Sequence, residues 1–171
     1  PSLLGIITTR GCNLNCTYCG FAAEGSTNPA ITPGTVAAAV EWFAAHQVEK
    51  ERTRLPVHFF GGEPFLYTRV LEDCIRIITS AAARHGLKPH LEASTNGVFD
   101  TRKALNIAQQ FDSIVLSFDG FREYHDLHRP RSKSRGSFDD VVRTALSLGR
   151  SPVELCLRCC ISTRSVGRMP D

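Results

Sequence analysis

Short apolar segments alternate along the chain with longer segments in which apolar residues recur every three or four positions. The short segments are rich in β-branched and aromatic residues, a composition that favours buried strands, and they lie at residues 2–9, 57–60, 90–93, 113–118 and 153–162. The longer segments have the periodicity of helices and lie at residues 33–47, 69–85, 101–110 and 138–148. A charged linker is predicted at residues 50–56, and an arginine-rich connection at residues 121–136.

This alternation predicts an α/β fold with a parallel sheet, because parallel strands need crossover connections and helices usually supply them. Five such units are compatible with an open doubly wound sheet or with part of a barrel. The unusual motifs of the chain all fall at the carboxyl ends of predicted strands, which lie on one face of such a fold. This placement favours a barrel-like site in which motifs distant in sequence meet in one pocket.

Composition and charge exclude several classes of protein. Hydrophobic residues make up 42% of the 171 positions and charged residues 22%, as in ordinary globular proteins. The formal net charge of +3 gives no argument for nucleic acid or an acidic membrane as a partner. We find no apolar run of about 18 residues, which a transmembrane helix would need, and no signal-peptide pattern. We therefore expect a cytoplasmic protein that binds neither nucleic acid nor membrane.

Seven cysteines are present, and three of them form the strongest signal. An odd number without a secretory signal argues against a disulfide framework. Cys12, Cys16 and Cys19 have the spacing CxxxCxxC, so their thiols can converge on one metal centre. Three thiolates are one fewer than usually hold an iron–sulfur cluster or a closed zinc site, which leaves a coordination position open. Zinc, or a loop without metal, remains the alternative. The other four cysteines are expected to be small buried hydrophobes: Cys74, Cys156, Cys159 and Cys160.

Two of the strand-end motifs carry polar groups or glycines suited to a ligand. Gly61 and Gly62 allow close approach of the backbone, and the carboxylate of Glu63 is suited to an ammonium group; the alternative is a simple turn before a proline. Asn96, with the two hydroxyl residues before it, is suited to a polar ligand, although an Asn-Gly turn explains the same sequence.

The fourth strand end and the segments after it add further candidates. Ser117 and Asp119 are two residues apart and therefore point to the same face of a strand. Arg129 lies before a proline and is suited to pairing with a carboxylate in the pocket. Arg158 lies within an apolar strand. A buried arginine needs a partner, so we expect its side chain to point into the pocket. His125 and His128 are expected on a solvated helical face.

The combination of motifs resembles the radical S-adenosylmethionine (SAM) enzymes. The motifs are CxxxCxxC with Tyr18 before its last cysteine, GGEP at residues 61–64, TNG at 95–97, and SFDG at 117–120 followed by HDLHR at 125–129. Within that family the chain looks like the peptide-modifying branch, which includes anaerobic sulfatase-maturating enzymes and ribosomal-peptide maturases. The resemblance implies a partial TIM barrel, truncated here to about five βα units. Residues 1–171 would then be an incomplete core domain without the last strand or any auxiliary-cluster domain.

The same resemblance implies cofactors and roles for individual residues. The three cysteines of the motif would hold a 4Fe–4S cluster, and SAM would bind the fourth iron and be cleaved to a 5′-deoxyadenosyl radical that abstracts hydrogen from a substrate. Tyr18 would back the adenine. The remaining cofactor-binding residues would be Gly61, Gly62 and Glu63 at the methionyl ammonium, Ser117 and Arg129 at the ribose and carboxylate, and Asn96 and Arg158 in the same pocket.

The expected partners are a peptide or protein substrate and an external one-electron reductant of the flavodoxin or ferredoxin type. No residue is assigned as a catalytic acid or base, since radical formation takes place at the cluster and SAM. The first alternative is a radical SAM enzyme that acts on a small molecule, as in molybdopterin biosynthesis. The second is a non-catalytic metal-binding scaffold domain.

Overall fold

The computed structural model describes residues 1–20, 30–99, 102–132 and 135–168. Within these residues, five strands form one parallel sheet: β1 (Leu4–Ile7), β2 (Arg54–Phe60), β3 (Lys88–Thr95), β4 (Ser113–Ser117) and β5 (Glu154–Arg158). The described ranges also contain five α-helices: α1 (Pro33–Glu49), α2 (Thr68–Arg84), α3 (Arg102–Ala108), α4 (Arg122–His128) and α5 (Phe138–Leu148). A short 3₁₀ helix follows at Val166–Arg168.

The strand order is β1-β2-β3-β4-β5, so each strand pairs with the next one along the chain. A doubly wound sheet would reverse direction at a switch point, whereas consecutive parallel neighbours are the arrangement of a barrel wall. The predicted α/β fold and its barrel-like form are therefore confirmed. Among the described residues, no helix is long and apolar enough to cross a membrane.

The core lies between the sheet and its helices, as the alternation along β2 shows. Leu55, Val57 and Phe59 are fully buried and belong to one cluster with Phe43 of α1 and Leu71 of α2. Burial of each such side chain contributes about 1.5–3 kcal/mol. Successive strand residues point to opposite faces, so the residues between these three face the concave side of the sheet. That side is free to form a site.

Local sequence signals account for most helix ends. Thr32 caps α1 through a hydrogen bond from the Thr35 amide to its hydroxyl, and Gly86 follows α2 with a φ of +66°. Ser137, which precedes α5, makes no side-chain cap. The carboxylate of Asp126 takes this role, since its Oδ1 accepts from the amides of Ser137 and the residue after it, both at 2.8 Å.

Three expectations from the sequence are wrong. The connection at 121–136 contains α4, and its His125 and His128 are buried rather than solvated, with exposures of 0% and 8%. The linker at 50–56 contains the start of β2. Of the four cysteines expected in the core, Cys74 is buried, whereas Cys156 and Cys159 are exposed and Cys160 is intermediate. Cys156 lies in β5, the last strand of the sheet, which explains its exposure.

Candidate active site

A cavity of about 510 Å³ opens at the carboxyl ends of the strands. Ten of the residues singled out by the sequence line it: Cys12, Cys16, Tyr18, Cys19, Gly61, Gly62, Asn96, Ser117, Arg129 and Arg158. Glu63 is not among the lining residues. His58, Phe60, Ser94 and Thr95 complete the lining. Four motifs that are distant in sequence therefore meet at one place, as parallel strand ends require.

The segment after α4 supports one side of the cysteine loop, residues 12–19. The amide of Asn15 donates to the carbonyl of Pro130 at 2.8 Å, and the amide of Thr17 donates to the carbonyl of His128 at 2.9 Å. The His128 ring also packs edge-on against Tyr18, with centroids 5.9 Å apart. The HDLHR segment is thus part of the scaffold that holds the loop.

The end of β3 supports the other side of the loop. Asn96 Nδ2 donates to Asn13 Oδ1 at 2.9 Å, and Asn13 Nδ2 donates to the carbonyl of Val98 at 2.8 Å. The same Asn96 amide lies 3.5 Å from the sulfur of Cys12, and the amide of Leu14 lies 3.4 Å from it. Burial raises the pKa of Cys12, and these two N–H groups act against that rise; the thiolate is the form that binds metals.

Gly61 and Gly62 are required by the backbone of the neighbouring loop. Gly61 has a φ of +135°, and a Cβ there would collide with the carbonyl oxygen of Thr9. A Cβ on Gly62 would collide with the carbonyl oxygen of Gly11. The Gly62 amide donates to Thr9 O at 2.9 Å. The close approach that these glycines allow is therefore made by the backbone at Thr9 and Gly11 rather than by a ligand.

Glu63 is held by groups of the protein itself, and its predicted contact with an ammonium group stays a prediction. Its side chain is buried, with 1% exposure, and its carboxylate accepts from the amide of Phe65 at 3.0 Å, the hydroxyl of Thr95 at 2.7 Å and the amide of Asn96 at 2.8 Å. Burial raises the pKa of this carboxyl to about 7, against the lowering effect of these hydrogen bonds. The carboxylate joins the ends of β2 and β3 instead of facing the cavity.

Asp119 is the second buried carboxylate at this end of the sheet. Its Oδ2 accepts from Arg129 Nε at 2.9 Å and from the Tyr18 hydroxyl at 3.0 Å, and its Oδ1 accepts from the Cys160 amide at 2.9 Å. The Arg129 guanidinium also lies 5.2 Å from the Tyr18 ring centroid. Arg129 therefore already has a carboxylate partner, and a guanidinium has further N–H donors for the cavity that it lines.

A buried histidine fixes this pair in position. The amide of Asp119 donates to His125 Nδ1 at 3.2 Å, so His125 Nε2 carries the hydrogen and donates to Ser137 Oγ at 3.0 Å. The Ser137 hydroxyl in turn donates to the carbonyl of Arg129 at 2.6 Å. Burial lowers the pKa of His125, which keeps the ring neutral and suits both roles. Phe118 packs against His125 on the side away from the cavity.

Ser117 and Arg158 are direct neighbours in the register of β4 and β5, and both line the cavity. The Arg158 side chain is exposed, so the expectation of a buried arginine is wrong while its predicted direction agrees with the structure. These two residues place a hydroxyl and a cation at the rim opposite the glycines.

The donors at the cavity are suited to a metal centre with sulfur ligands. Cys12, Cys16 and Cys19 are free thiols that line it. Burial raises the pKa of Cys16 to about 11, and coordination to a metal would deprotonate such a thiol.

His58 and Phe60 are the lining residues that sequence reasoning missed. Both belong to β2, where Val57 and Phe59 face the core. Alternation within a strand predicts that residues between core positions face the opposite side of the sheet. The pattern of β2 therefore predicts that His58, between Val57 and Phe59, faces the cavity.

Comparison with known proteins gives a family and several partial relatives. The sequence profile of the Radical SAM superfamily matches residues 6–161. A probable GTP 3′,8-cyclase of Methanocella arvoryzae is 28% identical over 158 residues, which cover 90% of this chain and 46% of that protein. A cysteine-type anaerobic sulfatase-maturating enzyme of Clostridium perfringens is 25% identical over 166 residues, which cover 96% of this chain and 45% of that protein. The chain thus spans less than half the length of these relatives.

Solved structures share the fold. The native enzyme anSMEcpe with bound AdoMet and Cp18Cys peptide superposes with a TM-score of 0.82 at 24% identity, over 99% of this chain and 46% of that one. SuiB of Streptococcus suis bound to the precursor peptide SuiA superposes with a TM-score of 0.64 at 18% identity, over 100% of this chain and 36% of that one. At these identities the likeness establishes the architecture alone.

Proposed function

Because this chain belongs to the radical SAM superfamily, we propose that Cys12, Cys16 and Cys19 hold a 4Fe–4S cluster and that SAM binds beside it in the cavity. These are the cofactors of the superfamily, and when bound they supply a 5′-deoxyadenosyl radical that takes a hydrogen atom from a substrate. The observation that carries the proposal is that the three thiols line the same cavity as the strand-end residues.

The residues around the thiols suit an amino acid with a nucleoside attached. Tyr18 offers an aromatic face for an adenine, and Ser117 offers a hydroxyl for a ribose. Arg129 and Arg158 offer cations for a carboxylate. Since the Glu63 carboxylate is already occupied, the backbone at Gly61 and Gly62 is the better candidate to receive the ammonium group.

We infer that the substrate is a side chain of a peptide or protein, which the enzyme crosslinks or oxidises with electrons from a flavodoxin- or ferredoxin-type reductant in the cytoplasm. The support comes from the sulfatase-maturating relative and from the two structural neighbours whose names include bound peptides. The HDLHR segment gives no support for a peptide substrate, because its histidines are buried and its backbone holds the cysteine loop.

A small-molecule substrate is the second candidate. The observation in its favour is the GTP 3′,8-cyclase relative, which is 28% identical to this chain and therefore at least as similar as the sulfatase-maturating one. The interior of the barrel and its open side are compatible with either substrate class.

The cluster is tested first, in the full-length protein reconstituted anaerobically. We expect Cys16→Ala to lose the absorbance near ~400 nm and most of the iron, because two protein thiolates and SAM leave the cluster under-ligated. Cys156→Ala is the matched control, since Cys156 is exposed and does not line the cavity. Full iron content in the Cys16 variant would refute the cluster assignment.

Substrate class is tested with two probes added to the reduced, reconstituted wild type with SAM. One is a synthetic peptide with a central cysteine, and the other is GTP. We expect the peptide to increase formation of 5′-deoxyadenosine and to change in mass, while GTP has neither effect. The opposite result would select the small-molecule alternative, and absence of SAM cleavage under all conditions would select the non-catalytic scaffold.

A further inference from the structure

A row of polar side chains crosses the concave face of the sheet below the cysteine loop. His58 of β2 is directly opposite Glu92 of β3 in the strand register. His58 Nδ1 lies 3.3 Å from Glu92 Oε2, and His58 Nε2 lies 2.9 Å from Ser94 Oγ. His58 and Ser94 line the cavity of the three thiols. None of the roles described above involves these three residues.

The hydrogen bonds allow one assignment of protons when the histidines are neutral. A carboxylate only accepts, so His58 Nδ1 must carry the hydrogen that it shares with Glu92. His58 Nε2 is then the unprotonated nitrogen, and it accepts from the hydroxyl of Ser94. A carboxylate that fixes the tautomer of a histidine in this way leaves a basic nitrogen at a defined position. Here that position is the cavity wall.

The second oxygen of the same carboxylate is also held. Glu92 Oε1 accepts from His90 Nε2 at 3.0 Å, and His90 Nδ1 accepts from Arg54 at 2.9 Å. The carboxylate therefore has hydrogen bonds on both sides and cannot rotate freely away from His58. Its geometry does not depend on a ligand.

The charges near His58 come from several elements. Glu92 is in direct contact, and His90 and Arg54 lie beyond it, with Asp112 3.5 Å from His90. Gly5 of β1 is opposite His58 on the other side and brings no charge. Two arginines, Arg129 and Arg158, also line the cavity. Glu92 is therefore the acidic group in direct contact with the His58 ring.

We propose that His58 is the proton acceptor for the substrate, with Glu92 as its positioning residue; this proposal rests on the proposed radical SAM function. In the step, an O–H, N–H or S–H bond of the substrate breaks and its electron pair stays on the heteroatom. His58 Nε2 gains the proton directly or through the Ser94 hydroxyl, while Nδ1–H remains bonded to Glu92. The step needs no oxidant of its own. It requires a substrate with a polar X–H group next to the carbon that loses hydrogen.

The decisive experiment uses the full-length reconstituted protein with SAM and whichever of the two probes, cysteine peptide or GTP, the wild type turns over, deuterated at carbon. We expect His58→Gln to keep its iron and to transfer deuterium into 5′-deoxyadenosine, while product falls by about 100-fold or more, the usual range for loss of an acid–base group. Added imidazole should restore product to His58→Ala. If His58→Gln forms product at a rate within about threefold of wild type, the loss is too small for an acid–base group, and the proposal is overturned.

His85→Gln is the matched control, because His85 forms the same kind of pair with Glu41, at 3.1 Å, but does not line the cavity. It should leave product formation unchanged. Glu92→Gln should lower product formation while iron content and SAM cleavage are kept, and Glu92→Asp, which keeps an acceptor for His58 Nδ1, should partly restore product. If Glu92→Asp is no better than Glu92→Gln, or if both variants lose iron, Glu92 is structural and the proposed positioning is refuted.

A measurement without substrate separates this proposal from the proposed function. Diethyl pyrocarbonate modifies unprotonated imidazole, and mass spectrometry locates the label. We expect His58 in the holoenzyme to be labelled at neutral pH, and faster in Ser94→Ala, where Nε2 has lost its hydrogen-bond donor. If SAM is not cleaved under any condition, the proposed function fails; if His58 resists the label in folded protein but not in unfolded protein, the free base at the cavity is refuted.

Discussion

Two carboxylates are buried at the cavity end of the sheet, and they are held in opposite ways. Glu63, after β2, is 1% exposed and accepts hydrogen bonds from two backbone amides and a hydroxyl, all of them uncharged. Asp119, after β4, is 3% exposed and pairs with the guanidinium of Arg129. One carboxylate is held by dipoles alone, and the other by a cation.

The difference explains what each side of the cavity can do. Glu63 joins the ends of β2 and β3 through these hydrogen bonds and does not line the cavity. Asp119 neutralises Arg129 in part and at the same time binds Tyr18, so it sets the position of a cation and of an aromatic ring from the cysteine loop. The first side is scaffold, whereas the second side carries the groups that a charged ligand would contact.

The largest effect should come from breaking the ion pair. Asp119→Ala leaves the Arg129 guanidinium, whose side chain is 7% exposed, without its partner. Loss of one partner of a buried pair costs about 3–5 kcal/mol. We expect faster hydrogen exchange in peptides from β4 and β5 of the full-length protein, measured by mass spectrometry.

The double variant Asp119→Ala with Arg129→Leu sharpens this result. It removes the uncompensated charge together with the pair, so exchange protection should partly return. If the double variant is no better protected than Asp119→Ala, the cost lies in the lost hydrogen bonds to Tyr18 and Cys160 rather than in the charge.

A smaller and pH-dependent effect is expected for Glu63→Gln. Glutamine places an NH₂ group against a backbone N–H, a mismatch that costs about 1–3 kcal/mol at any pH. Burial raises the pKa of Glu63 from 4.5 to about 7 in the folded protein. The folded state therefore binds the proton more tightly than the unfolded state does, and this group's contribution is fully present below pH 4.5 and is lost as the pH rises through about 7.

Glutamine does not titrate, so the free energy of unfolding of the variant should stay constant with pH while that of the wild type falls. The difference between the two proteins should therefore shrink between pH 5 and pH 8, by about 1.4 kcal/mol for each unit of pKa difference. Opening free energies from hydrogen exchange at several pH values measure it. Parallel pH curves for the two proteins would mean that the three donors keep Glu63 ionised at all these values.

The sequence was sufficient for most of the fold because most elements had a local signal. Val36, Val40 and Phe43 repeat at helical spacing, and Thr32 and Gly86 have the capping chemistry that the structure uses. It was insufficient for α4, a helix of seven residues in which buried histidines replace the usual apolar residues. Burial of His125 depends on Asp119 and Ser137, which become its neighbours only in the folded chain.

The site was predictable as a location but less so in its individual contacts. Eleven residues were assigned to the cluster or to SAM, and ten of them line one cavity. Their placement near strand ends was enough to predict this, without any knowledge of side-chain directions. Sequence alone could not tell which carboxylate would be satisfied internally, because two of the three donors to Glu63 are Thr95 and Asn96, at the end of β3 and 32 and 33 residues away. The sequence also suggested a ligand carboxylate as the partner of Arg129, whereas in the structure Arg129 pairs with Asp119.

The smallest effect should come from an Arg–Asp pair of the same chemistry at the surface. Arg122 and Asp139 form two hydrogen bonds, of 2.8 and 2.6 Å, but their side chains are 55% and 70% exposed. Water replaces each partner when the other is removed, and salt screens their attraction. Arg122→Ala should therefore leave the exchange protection of α4 and α5 nearly unchanged at physiological salt, with a small loss at low salt. If its effect equals that of Asp119→Ala, burial is not what separates the two pairs.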